Sequence, residues 1–286
     1  MLSPLWVDQE AERFCREMAR REAKNFYWGF ISLPHEQRMA IYALYDFARQ
    51  VDDDVDSAPR PELIPEKLSA QRVRVKSADH SAESDPVMHV LSRAIERYNI
   101  PQAELLALID GVEMDCTKSR YATWTDLREY CTLVASIVGR MCVRIFGFDD
   151  PLALDRADDL GLALQMTNIM RDVREDAAMG RVYLPQEDLA RFGIREQSLL
   201  DGNPGEGWEQ LVAFETARTR ALFESGYQVL GYIPRRPAAC VQTMAGIYER
   251  ILEKIERDPQ LPLRERAALS NGEKLRVMVA SWLRPG

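Results

Sequence analysis

PHEQRMAIYALYDFARQVDDDVD, residues 34–56, is the stretch on which the fold turns. Proline opens it, and Met39, Tyr42, Leu44, Tyr45, Phe47 and Val51 follow at mostly three- and four-residue spacing, the period of a helix with a wide buried face. Four aspartates in five positions come next: Asp52, Asp53, Asp54 and Asp56. Asp52 and Asp56 are four apart, so on a helix their carboxylates share one face, with Cβ atoms about 5–6 Å apart. Arg49 joins that face, while Asp53 and Asp54 read as solvent-facing or helix-end charges. Like charges so placed cost roughly a few tenths of a kcal/mol in water and more when desolvated, so something must neutralise them.

The same period runs outward through the chain. Further helices are predicted around 6–23, 62–75, 86–97, 102–117, 124–147, 151–176, 208–231, 236–257 and 262–283, and no alternating or Val/Ile-rich strand pattern interrupts them. Breaks fall at SAPRP from Ser57, KSADHSAESDP from Lys76, DGNPGEG from Asp201 and IPRRP from Ile233, none of them an interdomain linker. The expectation is an all-α fold in one domain, 1–286, built as a helical bundle.

About 46% of the 286 residues are apolar, enough for one large core. A formal charge of −8 argues against nucleic acid as a partner, and an anionic ligand would need locally supplied cations. Cys15, Cys116, Cys131, Cys142 and Cys240 include no CxxC pair and form no disulfide framework. With no secretory leader evident, the expected compartment is the cytoplasm. Apolar runs such as LVASIVG from Leu133 are too short to span a bilayer. His35, His80 and His89 are too dispersed for a zinc site or a Ser-His-Asp relay, so any metal must be held by oxygen.

A second ladder supplies that oxygen. In QMTNIMRDVRED, residues 165–176, Asn168, Asp172 and Asp176 repeat at four-residue intervals, with Gln165 extending the stripe. Leu164, Met166, Ile169, Met170 and Val173 between them face neighbouring helices. A lone DxxxD in a chain with 45 acidic residues reads as a solvated helix face. Two ladders, each after an apolar run and each with an arginine (Arg49, Arg171), read instead as a divalent-metal site. Mg²⁺ prefers oxygen, retains waters, and is commonly held by one or two carboxylates plus substrate phosphates. Two ladders facing across a bundle would clasp a diphosphate between metal ions.

NFYWGFISLPHEQRMAIYALYDFARQVDDDVD and ALQMTNIMRDVREDAAMGRVYLPQEDL resemble the two signature regions of the squalene/phytoene synthase family, the head-to-head prenyl transferases. The likeness extends through EMDCTKSRYATWTDLREYC, VASIVGRMCVRIFG and IYERILEKI. It implies an isoprenoid-synthase bundle around a central apolar cavity with the ladders opposed near its mouth. Carried over, Asp52, Asp56, Asp172 and Asp176 are the catalytic aspartates and, with Asn168, the ligands of two or three Mg²⁺ ions brought together with substrate. Arg49, Arg171, Tyr248, Arg266 and Lys274 match diphosphate contacts, and Phe26, Phe30, Tyr45 and Gln165 match residues lining the substrate region.

Within the family, VASIVGRMCVRIFG is most similar to bacterial presqualene-diphosphate synthases of hopanoid synthesis, which join two farnesyl diphosphates and stop at the cyclopropyl diphosphate. The alternatives are a full squalene or dehydrosqualene synthase, a phytoene synthase using geranylgeranyl diphosphate, and a catalytically inactive helical assembly subunit, which intact ladders disfavour. One departure stands out. Where many relatives carry tyrosine two residues after tyrosine of the YC pair, this chain has Thr132. With neither GxGxxG after a strand nor a Walker pattern, NADPH is not expected, although relatives bind it without a Rossmann fold.

Other stretches admit two readings. DGVEMDCTKSRY places Asp110, Glu113 and Asp115 either beside the site or on a surface helix end. GRVYLP, 180–185, is either a lid carrying Arg181 to the diphosphate or a helix stop with Tyr183 and Leu184 in the core. Met141, Met166, Met170 and Phe146 fit core better than tunnel, and Cys131 and Cys142 read as small buried hydrophobes. LPLRERAALSNGEKLRVMVASWLRP is basic and amphipathic, and is read either as packing on the bundle or as peripheral contact with a membrane. Nothing in the sequence sets the oligomeric state.

Overall fold

In the computed structural model, which describes residues 8–23, 25–57 and 60–283, helix α1 (Asp8–Glu22) precedes α2 (His35–Asp56), the stretch quoted above. Pro34 stands at its N-cap, and Met39, Tyr42, Leu44, Phe47 and Val51 are buried as their spacing predicts. The other major helices are α3 (Ile64–Lys76), α4 (Pro86–Tyr98), α5 (Gln102–Met114), α6 (Trp124–Cys131) and α7 (Ile137–Phe146). After these come α8 (Leu152–Arg171), α9 (Val173–Ala178), α10 (Trp208–Gly226), α11 (Arg235–Arg257) and α12 (Asn271–Leu283). No strand occurs among the described residues, only an isolated bridge between Arg120 and Val182. The fold is all-α, as expected.

Helix α8 is the axis of the bundle. It packs on α7, α10 and α11 and is buried on most of its circumference, which is why its sequence shows little polar face. Glycine makes the closest approaches. A Cβ on Gly161 of α8 would lie 2.7 Å from Ser136 Cα, and one on Gly226 of α10 would lie 2.7 Å from the Leu160 backbone nitrogen. Local caps fix the entries of neighbouring helices: Asp85 accepts from Val87 N at 2.8 Å, and Thr123 and Asp126 form a capping box.

Four predicted helices are interrupted. The 124–147 segment carries a π-helical turn, Thr132–Ser136, between α6 and α7. The 151–176 segment breaks at Asp172 (φ −100°, ψ 11°), although Asp176 N still donates to Asp172 O at 2.9 Å. Segment 208–231 tightens to a 3₁₀ turn at Tyr227–Gly231. Segment 262–283 is one turn, Leu261–Arg264, then non-helical chain over 265–270, then α12. The first two residues of the predicted 6–23 helix and part of the SAPRP break lie outside the described residues. The five cysteines are free.

Asp46 is the oddity of the core. It is 1% exposed at the contact of α2 with α1, and neither carboxylate oxygen has a hydrogen-bond partner. The neighbouring Cys15 thiol points instead at the Pro86 carbonyl, 3.9 Å away.

Candidate active site

Asp52 and Asp56 occupy the last turns of α2, Asn168 the last turn of α8, Asp172 the junction after it, and Asp176 the short helix α9. The two helix ends meet. Arg181 reaches Asp56 at 3.6 Å, and its charge also bears on Asp176. The first ladder sits at a helix C-terminus, whose negative dipole end adds to the repulsion among its carboxylates, whereas the second runs from the C-terminus of α8 into the first turn of α9. Burial pushes Asp52 up to about 7, against the pull of Arg49 and with Asp56, Asp115 and Asp53 adding to the rise. Burial likewise pushes Asp176 up to about 7, with Asp172, Glu175 and Asp115 adding and Arg181 opposing. Asp172 goes the other way: burial alone would raise it, yet hydrogen bonds and charge from Arg171 and Arg266 hold it below the ordinary carboxylate range.

These residues suit a hard cation. Asn168 Oδ1 is buried without a hydrogen-bond partner, while its Nδ2 donates to Gln165 Oε1 at 3.3 Å. An orphaned amide oxygen beside carboxylates that are costly to ionise is a donor set that Mg²⁺ would satisfy. Among the described residues no three acidic, histidine or cysteine side chains converge to hold an ion unaided. Such a site needs substrate phosphate oxygens to complete the shell.

Below the ladders lies a cavity of about 280 Å³. On α2 its wall runs Ile41, Leu44, Tyr45, Ala48, Asp52, and on α8 it runs Ala157, Leu160, Gly161, Leu164, Gln165, Asn168. Each stripe spans eleven residues of rise, about 16 Å, with the polar residues at one end only. Phe26 and Phe30 form an aromatic side wall with Tyr45, and Phe26 stacks on Tyr248 at 5.5 Å. The π turn and α7 supply Val134, Ala135, Val138, Gly139, Cys142, Val143 and Phe146. Thr132 is not part of this wall, and its hydroxyl donates back to Arg128 O at 2.8 Å. Met141, Met166 and Met170 are buried core.

The cations are placed unevenly. Arg171 is buried and forks onto Asp172, with Nε donating to Oδ1 at 2.7 Å, and Arg266 forks onto the same carboxylate at 2.8 and 3.1 Å. Tyr248 is buried against Arg171 and Asn168, and Lys274 stands half-buried in the first turn of α12. Arg49 pairs with Asp53 at 2.7 Å, an i,i+4 partner within its reach, while its charge still bears on Asp52. Asp54 is not solvent-facing either. It accepts from Lys67 at 3.1 Å and Gln71 at 2.6 Å, fastening α3 to α2.

Two stretches with open readings now divide. Asp110 and Glu113 pair with Arg72 on the outside, at 2.7 and 2.6 Å. Asp115 turns inward, accepting from Tyr130 Oη at 2.9 Å and Tyr183 Oη at 2.8 Å, and its charge adds to the crowding felt by Asp52 and Asp176. Segment 180–187 is laced to 119–122 by Val182 N to Ser119 O, Gln186 N to Tyr121 O and Glu187 N to Ala122 O, 2.9–3.1 Å, which sets Arg181 at the ladders. Tyr183 and Leu184 are core, as the second reading of GRVYLP has it, and Arg181 stands beside Asp56. The sequence left Asp115 and Arg181 with two readings each, and the lacing of these two segments decides between them.

The chain and its fold have known counterparts. The squalene/phytoene synthase family profile matches residues 19–273. Phytoene synthases of Mycobacterium tuberculosis and Synechocystis are 36% and 34% identical to this chain over 96% of its length, covering 91% and 86% of theirs. A dehydrosqualene synthase solved in complex with ligand superposes with a TM-score of 0.88 at 26% identity, covering 96% of each chain. Squalene synthase HpnC from Alicyclobacillus acidocaldarius superposes with 0.81 at 31% identity, covering 87% of this chain and 94% of its own. With the match running nearly end to end and the fold shared, the chain is a prenyl transferase that belongs to the squalene/phytoene synthase family.

Proposed function

We propose that this protein condenses two farnesyl diphosphates head-to-head to presqualene diphosphate, a step on the route to squalene and hopanoids. The observation that carries the reading is the pair of carboxylate ladders meeting at Arg181 above an apolar cavity with polar groups at one end. Bound Mg²⁺ would neutralise the diphosphate oxygens and ease departure of the leaving group. Asp52, Asp56, Asn168, Asp172 and Asp176 would hold it; Arg171, Arg266 and Tyr248 lie beside Asn168 and Asp172, and Lys274 would join them on the diphosphate. Breaking the C1–O bond leaves an allylic cation, which water would quench to an alcohol. The walls of the cavity exclude water, and the faces of Phe26, Phe30 and Tyr45 offer π density to the cation. The acceptor double bond attacks C1, and loss of a proton closes the cyclopropane.

The C15 substrate, the smaller of the two, is favoured by the narrowness of the cavity, about 280 Å³ and just below the usual range for ligand pockets of roughly 300–1,000 Å³, and by the closeness in shape to a dehydrosqualene synthase. A second reading, geranylgeranyl diphosphate to phytoene, is favoured by the curated relatives. An exposed stripe on α12, Leu275, Val279, Trp282 and Leu283, supports peripheral contact with a lipid surface, where such products belong. No helix among the described residues is long and apolar enough to cross a membrane. The test is incubation with each diphosphate and Mg²⁺, with and without NADPH. Presqualene diphosphate as sole product from the C15 substrate supports the reading; phytoene from the C20 substrate supports the second; squalene on NADPH addition makes the protein a full squalene synthase; no diphosphate release removes both.

A further inference from the structure

We propose that Arg266 is an exchange residue: it keeps Asp172 closed to bare metal and yields it when a diphosphate arrives to take the guanidinium. The inference rests on the Mg²⁺-dependent reading of the ladders and adds an order of binding to it. Its basis is a count of lone pairs. An ionised carboxylate offers about four acceptor sites, and on Asp172 two guanidinium forks fill them. Arg171 donates from Nε to Oδ1 and from Nη2 to Oδ2, and Arg266 donates from Nε to Oδ1 at 2.8 Å and from Nη2 to Oδ2 at 3.1 Å. A cation reaches Asp172 only if one fork leaves.

The two arginines are not equivalent. Arg171 is 7% exposed within α8, and losing its partner would strand a buried charge. The Arg266 side chain is 53% exposed and stands on the non-helical segment 265–270 ahead of α12. Arg266 is therefore the fork that moves. The first ladder has no such plug, since Arg181 meets Asp56 only at 3.6 Å.

Bare Mg²⁺ would break the Arg266 pair and leave a cation beside a cation. A diphosphate changes this balance, because its oxygens accept the freed guanidinium in bidentate fashion while the metal takes Asp172. Metal and diphosphate then raise each other's affinity through one residue. The segment carrying Arg266 leads directly into the first turn of α12.

The test titrates wild type and Arg266→Ala with Mn²⁺ alone, reading free ion by electron paramagnetic resonance, and then with inorganic pyrophosphate at saturating Mg²⁺ by calorimetry. Arg266→Ala should bind Mn²⁺ alone about two- to fivefold more tightly, the worth of a half-exposed ion pair, yet bind pyrophosphate about tenfold more weakly. Arg264→Ala, a neighbouring cation paired with Asp258, controls for lost positive charge and should leave Mn²⁺ affinity unchanged. Equal or weaker Mn²⁺ binding by Arg266→Ala, or an equal gain in Arg264→Ala, overturns the proposal alone. A wild type that binds no pyrophosphate with Mg²⁺ overturns the parent reading with it.

Discussion

Asp46→Asn should stabilise the protein, and by more as pH rises. Asp46 is 1% exposed with both carboxylate oxygens unpartnered, and burial pushes its carboxyl from 3.8 up to about 8. Because the folded-state value is the higher one, the unfolded chain ionises first. The contribution of Asp46 to stability is complete below pH 4 and is lost as pH climbs through about 8. The loss runs at about 1.4 kcal/mol per pH unit, hence about 4 kcal/mol between pH 4 and 7. Asparagine matches the shape of the protonated acid and does not titrate. In a chain this long 1 kcal/mol moves Tm by about 2 °C, so the gap between variant and wild type should open by about 8 °C over that interval. Calorimetric scans of both proteins at half-unit steps of pH provide the measurement, and the difference cancels every other titrating group. A gap that stays flat with pH would show that Asp46 keeps an ordinary pKa in the fold and would refute the argument. A variant less stable throughout would mean that the carboxylate makes a favourable contact.

Asp52→Asn removes one of several crowded negative charges, so it should raise the Tm of the metal-free protein slightly while lowering turnover at least about hundredfold; near-normal turnover would take Asp52 out of the ligand set. Asp52 and Asp176, both pushed up to about 7, must lose their protons to accept a cation. Affinity for Mg²⁺ and pyrophosphate together should therefore climb with pH to about 7 and level off, and calorimetry showing a flat profile from pH 5.5 to 8 would contradict this. Gly161→Ala sets a methyl 2.7 Å from Ser136 Cα and 2.9 Å from Ala135 C, backbone that cannot step aside. It should cost about 1–3 kcal/mol in denaturant unfolding, and an unchanged midpoint would mean that α8 and the π turn separate freely.

The helical frame was legible because apolar spacing along 34–56 and 151–171 reports which faces are buried, and burial is what holds those helices. The ladders were legible for the same reason: i,i+4 carboxylates share a face whatever lies opposite. What lies opposite was not. Asp115 and Arg181 come from segments 66 residues apart, and only the lacing of 180–187 to 119–122 brings them to the ladders. The break at Asp172 coincides with its grip on Arg266, 94 residues downstream, a contact no local window contains. Arg49 was legible as a neighbour of Asp52, but its ion pair with Asp53 was not, since i,i+3 and i,i+4 partners are both within reach. Asp46 sits in the middle of an apolar run, and its lack of any partner is a property of the surrounding helices.

The wide turn at Thr132–Ser136 contains one residue more than a regular α-helix would need. Each residue advances a helix by about 100°, so the same residues wound as unbroken α-helix would swivel α7 by that angle against α6. The places now held by Val138, Gly139, Cys142 and Val143 would pass to their predecessors, and Arg140 and Arg144 would leave Asp158 and Glu104 for the buried places of Met141 and Ile145. One wide turn thus sets which side of α7 meets the hydrocarbon, a choice that no exchange of side chains along the helix could make.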